Sequence, residues 1–314
     1  MSSNCPICNG GCQSRVINVR SGKEMSLFHC GSCNFDFFQE DPTGALAANK
    51  LDESRLKAAG LDIPAVEKDF ENGVRQSAPY IKEYLSDTDR GRNILEIGCS
   101  WGYFLHLLRE NGACPYGVEL NKVRAEYVNE RLGIRCFTDI EGCEAHGIKF
   151  KKIFLFYVLE YVPNPAAYLK RLLNLLDKDG SIVLITPNLA DPLKDVWNNQ
   201  AFGRFFYDEC AINYFTPTAV RKLIGQLPAR SSSVSTRQGY SFANQVGWYL
   251  NNGPRTTGMV GGDYYTQEIV DRLGASPTAL GVQLAKHVRE FDAEYRRIIE
   301  RHEYGNQIRV VIGR

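Results

Sequence analysis

Residues 93–108, with the sequence NILEIGCSWGYFLHLL, constrain the fold of this chain more than any other stretch. Residues 94–97 are apolar except for one acid, as is typical of a buried strand in a parallel sheet. Gly98 and Gly102 then enclose a tight turn, after which apolar residues recur at helical spacing. Because glycine has no Cβ, a ligand can approach the N–H groups of such a turn, and a helix N-terminus favours an electron-rich group. This succession predicts a nucleotide-cofactor site in an α/β fold.

Two acids accompany the turn. Glu96 lies two residues before Gly98, and the order GCSWG departs from the Gly-x-Gly-x-x-Gly pattern of dinucleotide-binding proteins. A carboxylate at this point suits a cofactor with an ammonium group better than one with a diphosphate. Glu119 follows the next apolar run, 23 residues after Glu96, near the spacing of about 20 at which a ribose-binding carboxylate is expected. A carboxylate accepts hydrogen bonds from two hydroxyl groups at once, so Glu119 is a candidate for holding a ribose.

The pattern Glu-x-Gly-x-x-x-Gly resembles motif I of the class I S-adenosylmethionine-dependent methyltransferases, with Ser100 in place of the usual middle glycine. Glu119 followed by Asn121 resembles the family's second motif, in which the acid holds the ribose diol. Asp139 ends a predicted third strand, where the family has an acid that faces the adenine amino group. The resemblance implies a Rossmann-like doubly wound sheet and S-adenosylmethionine as the cofactor. The cofactor-binding residues that it implies are Glu96, Gly98, Ser100, Gly102, Glu119, Leu120, Asp139 and Phe156.

The stretch 152–165, KIFLFYVLEYVPNP, begins with an apolar run that suits a buried strand and ends with two prolines that mark the start of a helix. Small-molecule methyltransferases of this family commonly have Val-Leu-Glu-His-Val-x-x-Pro here, and Tyr161 replaces the histidine. None of the five histidines of the chain falls where the family carries one. We therefore expect Tyr161 to orient the substrate or relay a proton. The resemblance covers residues 90–240 and the final strand.

Two Cys-x-x-Cys pairs occupy the N-terminus. Between Cys5-x-x-Cys8 and Cys30-x-x-Cys33 lie 21 residues, just beyond the gap of about 15 to 20 that is typical of four-cysteine zinc ribbons. Four thiolates form the tetrahedral site that Zn²⁺ prefers, and a site without an open position is structural. The spacing predicts a structural zinc site in a ribbon.

Other arrangements of the N-terminal cysteines remain open at this point. Cys12 or His29 could replace one of the four ligands, and the cysteines could instead form disulfides or stay free. Residues 1–12 contain no apolar core of a secretory signal, so we expect a cytoplasmic location with reduced thiols. That expectation favours zinc over disulfides.

Charge bears on the class of partner. Residues 1–50 carry equal numbers of basic and acidic side chains, and the whole chain has a net charge of +1. Binding to a phosphate backbone requires a basic patch, so a nucleic-acid partner is disfavoured even though zinc modules precede some ribosomal RNA methyltransferases. We expect Phe35, Phe37 and Phe38 to pack the ribbon onto the next domain. No apolar stretch approaches the roughly 18 residues of a membrane span, so no membrane partner is expected.

The domain organisation follows from these patterns. It is predicted as a zinc ribbon (1–45), a helical linker that covers the cofactor (46–88), a methyltransferase core (89–240), a helical insertion (241–304) and a last core strand (305–314). Gln76 and Tyr80 of the linker are candidates for contacting the cofactor, with ordinary packing as the alternative for either. A helix over 276–304 has an apolar stripe, which would dock on the chain itself or pair two subunits in a homodimer.

The acceptor is expected to be a small molecule. Residues 197–214 are rich in aromatic side chains with interspersed polar ones and fall where the family has a substrate-shaping lid, which suits a sugar or a nucleotide-activated sugar. A zinc ribbon also precedes this fold in deoxysugar C-methyltransferases. The other hypotheses are RNA methylation and a non-catalytic scaffold that binds S-adenosylmethionine.

Overall fold

A computed structural model describes residues 3–39, 62–253 and 264–314. The chain forms two compact units. The ribbon unit comprises Met1–Gln39, Thr186–Lys222 and Val234–Arg309, and the sheet unit comprises Glu40–Ile185, Leu223–Ser233 and Val310–Arg314. Parts of the predicted ribbon, linker and insertion fall outside the described residues, so the predicted five-part division stays a prediction.

The strands are numbered in chain order. They are Ser3–Asn4 (β1), Gly11–Asn18 (β2), Glu24–Cys30 (β3), Phe35–Phe38 (β4), Asn93–Ile97 (β5), Cys114–Val118 (β6), Cys136–Phe137 (β7), Phe150–Phe156 (β8), Leu176–Pro187 (β9), Asn213–Tyr214 (β10), Ser231–Arg237 (β11) and Gln307–Gly313 (β12). The α-helices are Ile63–Tyr84 (α1), Tyr103–Glu110 (α2), Lys122–Glu130 (α3), Ile140–Ala145 (α4), Pro165–Leu175 (α5), Pro192–Asp195 (α6), Gln200–Phe206 (α7), Pro217–Ile224 (α8), Phe242–Asn251 (α9), Tyr264–Gly274 (α10) and Ala279–Arg301 (α11).

Seven strands form one sheet in the order β11-β12-β9-β8-β5-β6-β7. β5 pairs in parallel with β6 and with β8, and β8 pairs in parallel with β9. Ile94, Leu95 and Ile153 are fully buried, which explains why these strands read as apolar runs without alternation. Parallel strands that alternate with helices confirm the predicted Rossmann-like α/β sheet.

The carboxyl ends of the parallel strands position the predicted cofactor residues. Gly98 follows β5, Glu119 follows β6 and Tyr157 follows β8. Because parallel strands end at the same edge of a sheet, the residues after these strands share one edge, where ligands of open α/β sheets bind.

The helix after the glycine turn is held by its apolar face. Phe104, Leu105 and Leu108 of α2 are buried in one cluster with Ile94 of β5 and Phe154 of β8. Burying a side chain of this size stabilises the fold by about 1.5–3 kcal/mol. This packing fixes the start of α2, and with it the glycine turn, against β5.

The ribbon unit contains a second sheet, in the order β1-β2-β3-β4-β10. β2, β3 and β4 form an antiparallel meander, in which Leu27 pairs with Phe38. The rings predicted to pack the ribbon are buried, and Phe35 contacts Phe215 with 5.2 Å between ring centroids. The ribbon therefore packs against residues that follow β9 in the chain.

The helices α9, α10 and α11 lie between β11 and β12 in the chain. α11 begins after Thr278, whose side chain accepts a hydrogen bond from the N–H of Gly281, two residues later than the predicted start at Ser276. Part of its predicted apolar stripe is exposed, namely Leu280, Leu284, Phe291 and Ile298. Pairing of two subunits through this helix stays a prediction.

No helix among residues 3–39, 62–253 and 264–314 is both long and apolar enough to cross a lipid bilayer.

Candidate functional site

The turn after β5 has a left-handed backbone at three positions. Gly98 has φ +72°, Ser100 φ +49° and Gly102 φ +79°. A Cβ on Gly98 would lie 2.7 Å from Val158 Cγ2, and one on Gly102 would lie 2.7 Å from Leu132 Cδ1. Both glycines are therefore required by conformation and by space. Ser100 adopts the same left-handed region, which explains why the family usually has a third glycine there.

Glu96 is a buried acid, and one of its oxygens has no partner among the described residues. It lies in β5 with 6% of its surface exposed, and Oε2 accepts no hydrogen bond from residues 3–39, 62–253 or 264–314. Burial, and in addition the charge of Glu119, raises the pKa of the Glu96 carboxyl to about 8. An unpaired buried carboxylate is costly, and a bound cation would remove that cost. The site at Glu96 therefore fits the ammonium group of S-adenosylmethionine.

Glu119 makes two hydrogen bonds that the sequence did not predict. Its Oε2 accepts from the N–H of Ser100 at 2.9 Å, and its Oε1 accepts from the N–H of Asn121 at 2.8 Å. The side chain thus ties the glycine turn to the end of β6. Each carboxylate oxygen has a second lone pair, so Glu119 keeps the capacity to accept from the two hydroxyl groups of a ribose.

The other predicted cofactor residues lie along the same edge. Asp139 is exposed, and Leu120 is half-buried. The third strand ends at Phe137, two residues earlier than predicted, because Asp139 begins α4 instead and accepts a hydrogen bond from the N–H of Gly142 at 2.7 Å. The strand prediction was therefore wrong at this end.

Phe156 ends β8 and stacks on a side chain of α1. Its ring lies 4.5 Å from that of Tyr80, with 25° between the ring planes. The sequence offered both Tyr80 and Gln76 as contacts for the cofactor. Tyr80 is half-buried, whereas Gln76 is exposed. The stacked pair brings α1 to the edge of the sheet beside the glycine turn.

Tyr161 lies in the 3-10 turn Leu159–Tyr161 and is half-buried. Tyr157, four residues earlier, has φ +58° and is 40% exposed, and its N–H donates to the carbonyl of Ile185 at 2.8 Å. A left-handed backbone is rare for a residue as large as tyrosine. No sequence signal could have identified this conformation.

The four cysteines predicted to bind zinc come together in the ribbon unit. Their sulfur atoms all lie within 4.8 Å of one another. The distances are 3.6 Å for Cys5–Cys33, 3.5 Å for Cys8–Cys30 and 3.7 Å for Cys8–Cys33. A tetrahedron with Zn–S bonds of about 2.3 Å has edges of about 3.8 Å. The four sulfur atoms therefore fit one Zn²⁺ ion.

Both Cys-x-x-Cys turns end in the same way. Asn9 follows Cys8 with φ +58°, and Asn34 follows Cys33 with φ +52°. Asparagine tolerates the left-handed region better than most residues, so Cys-x-x-Cys-Asn is a signal that the sequence already contained.

The two alternative ligands are engaged elsewhere. Cys12 Sγ lies 3.6 Å from the carbonyl oxygen of Gly10, and His29 Nδ1 lies 2.6 Å from Asp36 Oδ1. The metal-binding geometry therefore belongs to the four cysteines that the spacing predicted.

A family model for a methyltransferase domain matches residues 70–227, which is half of the chain. The chain belongs to the methyltransferase-domain family. The matched region of this family member contains the glycine turn and both buried acids. The predicted membership of the class I S-adenosylmethionine-dependent methyltransferases is confirmed.

Curated relatives match this methyltransferase-family chain over part of their length. A ubiquinone biosynthesis O-methyltransferase of Coxiella burnetii (strain RSA 493 / Nine Mile phase I) is 28% identical over 116 residues, which is 35% of this chain and 48% of that protein. A protein of the same name from Neisseria meningitidis serogroup C is 26% identical over 108 residues, 32% of this chain and 45% of the relative. The chain thus spans about half the length of these relatives. Among solved structures, an S-adenosylmethionine-dependent methyltransferase from Archaeoglobus fulgidus is 13% identical, with a TM-score of 0.49 over 81% of this chain and 100% of that chain.

Proposed function

We propose that this chain transfers a methyl group from S-adenosylmethionine to a small-molecule acceptor. The observation that carries the proposal is a buried Glu96 oxygen, beside a glycine turn, that has no hydrogen-bond partner in the described part of the chain. A buried carboxylate without a protein donor either holds a proton or pairs with a cation, and the cofactor of this family carries an ammonium group that can serve as that cation.

The chain's own residues divide the binding of the cofactor. Glu96 pairs with the ammonium group. The turn presents its N–H groups to the ligand at Gly98, Ser100 and Gly102, and the two glycines have no Cβ to hinder the approach. Glu119 accepts from the ribose hydroxyl groups while it holds the turn. Asp139 accepts from the adenine amino group, with Leu120 and Phe156 alongside.

The bound cofactor supplies a methyl group that is already electrophilic. The protein's task is therefore to hold the acceptor in line with it and to exclude water. Tyr161 orients the acceptor atom by a hydrogen bond, since a phenol hydroxyl both donates and accepts.

The acceptor atom that we propose is the hydroxyl oxygen of a sugar or a nucleotide-activated sugar. The O-methyltransferase names of the matched relatives support transfer to oxygen. The aromatic and polar side chains of residues 197–214 support a ring-shaped polar acceptor, because an aromatic ring packs on the apolar face of a sugar while polar groups bond its hydroxyls.

Calorimetric titration with S-adenosylhomocysteine tests the cofactor site, because this product keeps the ammonium group. Glu96→Gln keeps the shape of the side chain and removes its charge. A hydrogen bond to a charged group contributes about 1.5–3 kcal/mol, so we expect affinity to fall about tenfold to hundredfold. Glu130→Gln, on the exposed end of α3, is the matched control and should leave affinity unchanged. Equal affinity of wild type and Glu96→Gln would remove the support for the proposal.

Transfer of a labelled methyl group from S-adenosylmethionine tests the acceptor. The panel contains nucleotide-activated sugars, free sugars, phenols and total RNA. Label in a sugar supports the proposed acceptor, and label in RNA supports the alternative hypothesis of RNA methylation. A protein that binds S-adenosylhomocysteine yet forms none from S-adenosylmethionine with any acceptor would be the non-catalytic scaffold.

We also propose that Cys5, Cys8, Cys30 and Cys33 hold a structural Zn²⁺ ion. The sulfur–sulfur distances support this, and no fifth ligand is needed. Elemental analysis should find one zinc per chain. Cys33→Ser should lose it, and Cys143→Ser, a buried cysteine of the sheet unit, should retain it.

A further inference from the structure

The ribbon sheet takes its fifth strand from a distant part of the chain. β10 pairs with β4 in antiparallel register, so that Asn213 lies opposite Phe37 and Tyr214 opposite Asp36. The N–H of Phe38 donates to the carbonyl of Ile212 at 3.0 Å. We call residues 205–216 the anchored segment. It overlaps residues 197–214, which the sequence predicts to shape the acceptor site.

One end of the anchored segment is bound to a metal-binding turn. Thr216 Oγ1 lies within hydrogen-bond distance of the carbonyl of Cys33, at 3.2 Å, and of Asn34, at 2.8 Å. Lys222 donates to the carbonyl of Ser32. These carbonyls belong to the second Cys-x-x-Cys turn, whose backbone takes its shape around the four sulfur atoms. Thr216 is therefore placed by the same turn that presents Cys33.

The other end of the anchored segment is bound to the meander. Tyr207 Oη donates to Asp36 Oδ2 at 2.5 Å, and both side chains are buried. The N–H of Arg20 donates to the carbonyl of Tyr207, and Arg20 Nε donates to the carbonyl of Phe205, each at 2.8 Å. The Arg20 guanidinium also lies 4.0 Å from the centre of the Phe205 ring.

Metal bound at the four cysteines would stabilise the partners of the anchored segment. A segment of fewer than about 40 residues buries too little apolar surface to be stable alone, so residues 3–39 draw stability from the rest of their compact unit and, when metal is bound, from the metal. β10 has two residues and pairs with β4, and the next residue, Phe215, forms a parallel bridge with Asn188. An isolated pair of this length is not stable in water.

We propose that metal bound at the four cysteines sets the order of residues 205–216, so that the ribbon is a positioning element for the acceptor. The role for the acceptor rests on the proposed methyl transfer, whereas the coupling of metal to the anchored segment stands on the contacts themselves. Tyr207 and Thr216 are the positioning residues, since each joins the segment to the ribbon by a buried hydrogen bond.

Hydrogen exchange of the full chain, followed by mass spectrometry, tests the coupling. Peptides that cover 205–216 are compared between zinc-loaded protein and protein stripped by a chelator. Loss of the ribbon contacts should speed exchange in these peptides by at least about tenfold, while peptides over 93–118 keep their protection. Unchanged exchange in 205–216 would overturn the proposal. So would equal loss in 93–118, because that would be global unfolding.

A second variant tests the coupling with the metal in place. Tyr207→Phe removes the hydroxyl that bonds Asp36 and leaves the cysteines untouched, so zinc content should stay at one per chain while exchange in 205–214 accelerates. Tyr116→Phe, in β6 of the sheet unit, is the matched control and should leave that exchange as in wild type. Wild-type exchange in Tyr207→Phe would contradict the proposed positioning role.

Calorimetry with S-adenosylhomocysteine separates this proposal from the proposed function. Affinity for the product reports on the turn at Glu96 and Glu119 and should differ by less than about twofold between wild type and Tyr207→Phe. If wild type does not bind S-adenosylhomocysteine, the proposed cofactor site is rejected. The coupling of metal to the anchored segment, which hydrogen exchange measures, would not be affected by that result. With an acceptor from the panel, Tyr207→Phe should raise KM for that acceptor several-fold. An unchanged KM would reject the role of the ribbon in acceptor binding.

Discussion

At the scale of single residues, two acids on neighbouring strands differ in their partners. Glu119 accepts hydrogen bonds from two backbone N–H groups, whereas Glu96 Oε2 accepts none from the residues that the structure describes. Because Glu96 is desolvated without compensation, its pKa rises to about 8. Both residues are buried glutamates close to a strand end, so their different roles follow from the N–H groups that surround each of them.

The raised pKa of Glu96 predicts that cofactor affinity depends on pH. Below pH 8 the unliganded carboxyl holds a proton that an incoming ammonium group must displace, so affinity should fall by up to about tenfold for each pH unit below 8 and level off above it. The measurement is the calorimetric Kd of S-adenosylhomocysteine between about pH 6 and 9. The heat should also vary with the buffer, because a proton is released.

Glu96→Gln is the control for this pH dependence. The variant lacks the titrating carboxyl, so any pH dependence that it retains comes from the ligand or from other groups. The difference between wild type and variant should shrink towards low pH, and a constant difference would contradict the raised pKa. The free energy of unfolding of the unliganded protein should change with pH in the opposite direction to the cofactor affinity. Between the ordinary value of 4.5 and about 8 the folded state holds a proton that the unfolded state releases, so Glu96 favours folding less as pH rises.

At the scale of elements, the sequence-based predictions were wrong mainly about the residues at which strands and helices begin or end. The third strand stops at Phe137 because Asp139 caps α4, and α11 starts after Thr278 rather than at Ser276. In both places a short polar side chain that can hydrogen-bond to a backbone N–H ended one element or began another. Several such residues stood close together, and the sequence did not tell which of them would act as the cap.

The turn after β5 predicts a large cost for one added methyl group. Gly102→Ala would place a Cβ 2.7 Å from Leu132 Cδ1 in a left-handed conformation. Strain and overpacking should together lower the free energy of unfolding by about 2–4 kcal/mol, measured by urea titration. Gly133→Ala separates the two terms, because Gly133 is also left-handed at φ +61° but has open space around it. This control should cost only about 1–2 kcal/mol. Equal costs would show that packing against Leu132 contributes nothing.

At the scale of the whole molecule, the proposed cofactor site and the proposed metal site lie in different compact units. The turn with Glu96 and Glu119 belongs to the sheet unit, and the four cysteines belong to the ribbon unit together with the anchored segment. A ligand bound at either proposed site would therefore stabilise first the unit that contains that site.

This division predicts which part of the chain each ligand protects. S-adenosylhomocysteine at 100 times its Kd stabilises the unit that binds it by about 2.7 kcal/mol. We expect hydrogen exchange to slow most in peptides that cover residues 93–102 and 114–121, and stripping the metal should affect peptides over 11–38 most. Greatest protection by the ligand in the peptides over 11–38 would contradict the assignment of the cofactor site.

The sequence by itself determined the chemistry that depends on short spacings. The sequence alone was enough to locate the acid and glycines around β5, the acid after β6 and the two Cys-x-x-Cys turns. In each case the residues lie at neighbouring positions on one strand end or one turn. The tertiary structure decided what depends on residues far apart in the chain. It hydrogen-bonded Glu119 to Ser100, left Glu96 Oε2 without a donor among the described residues, and joined Asp36 to Tyr207 across 171 positions. Burial and hydrogen-bond partners are set by packing across such separations, and no local pattern of residues encodes them.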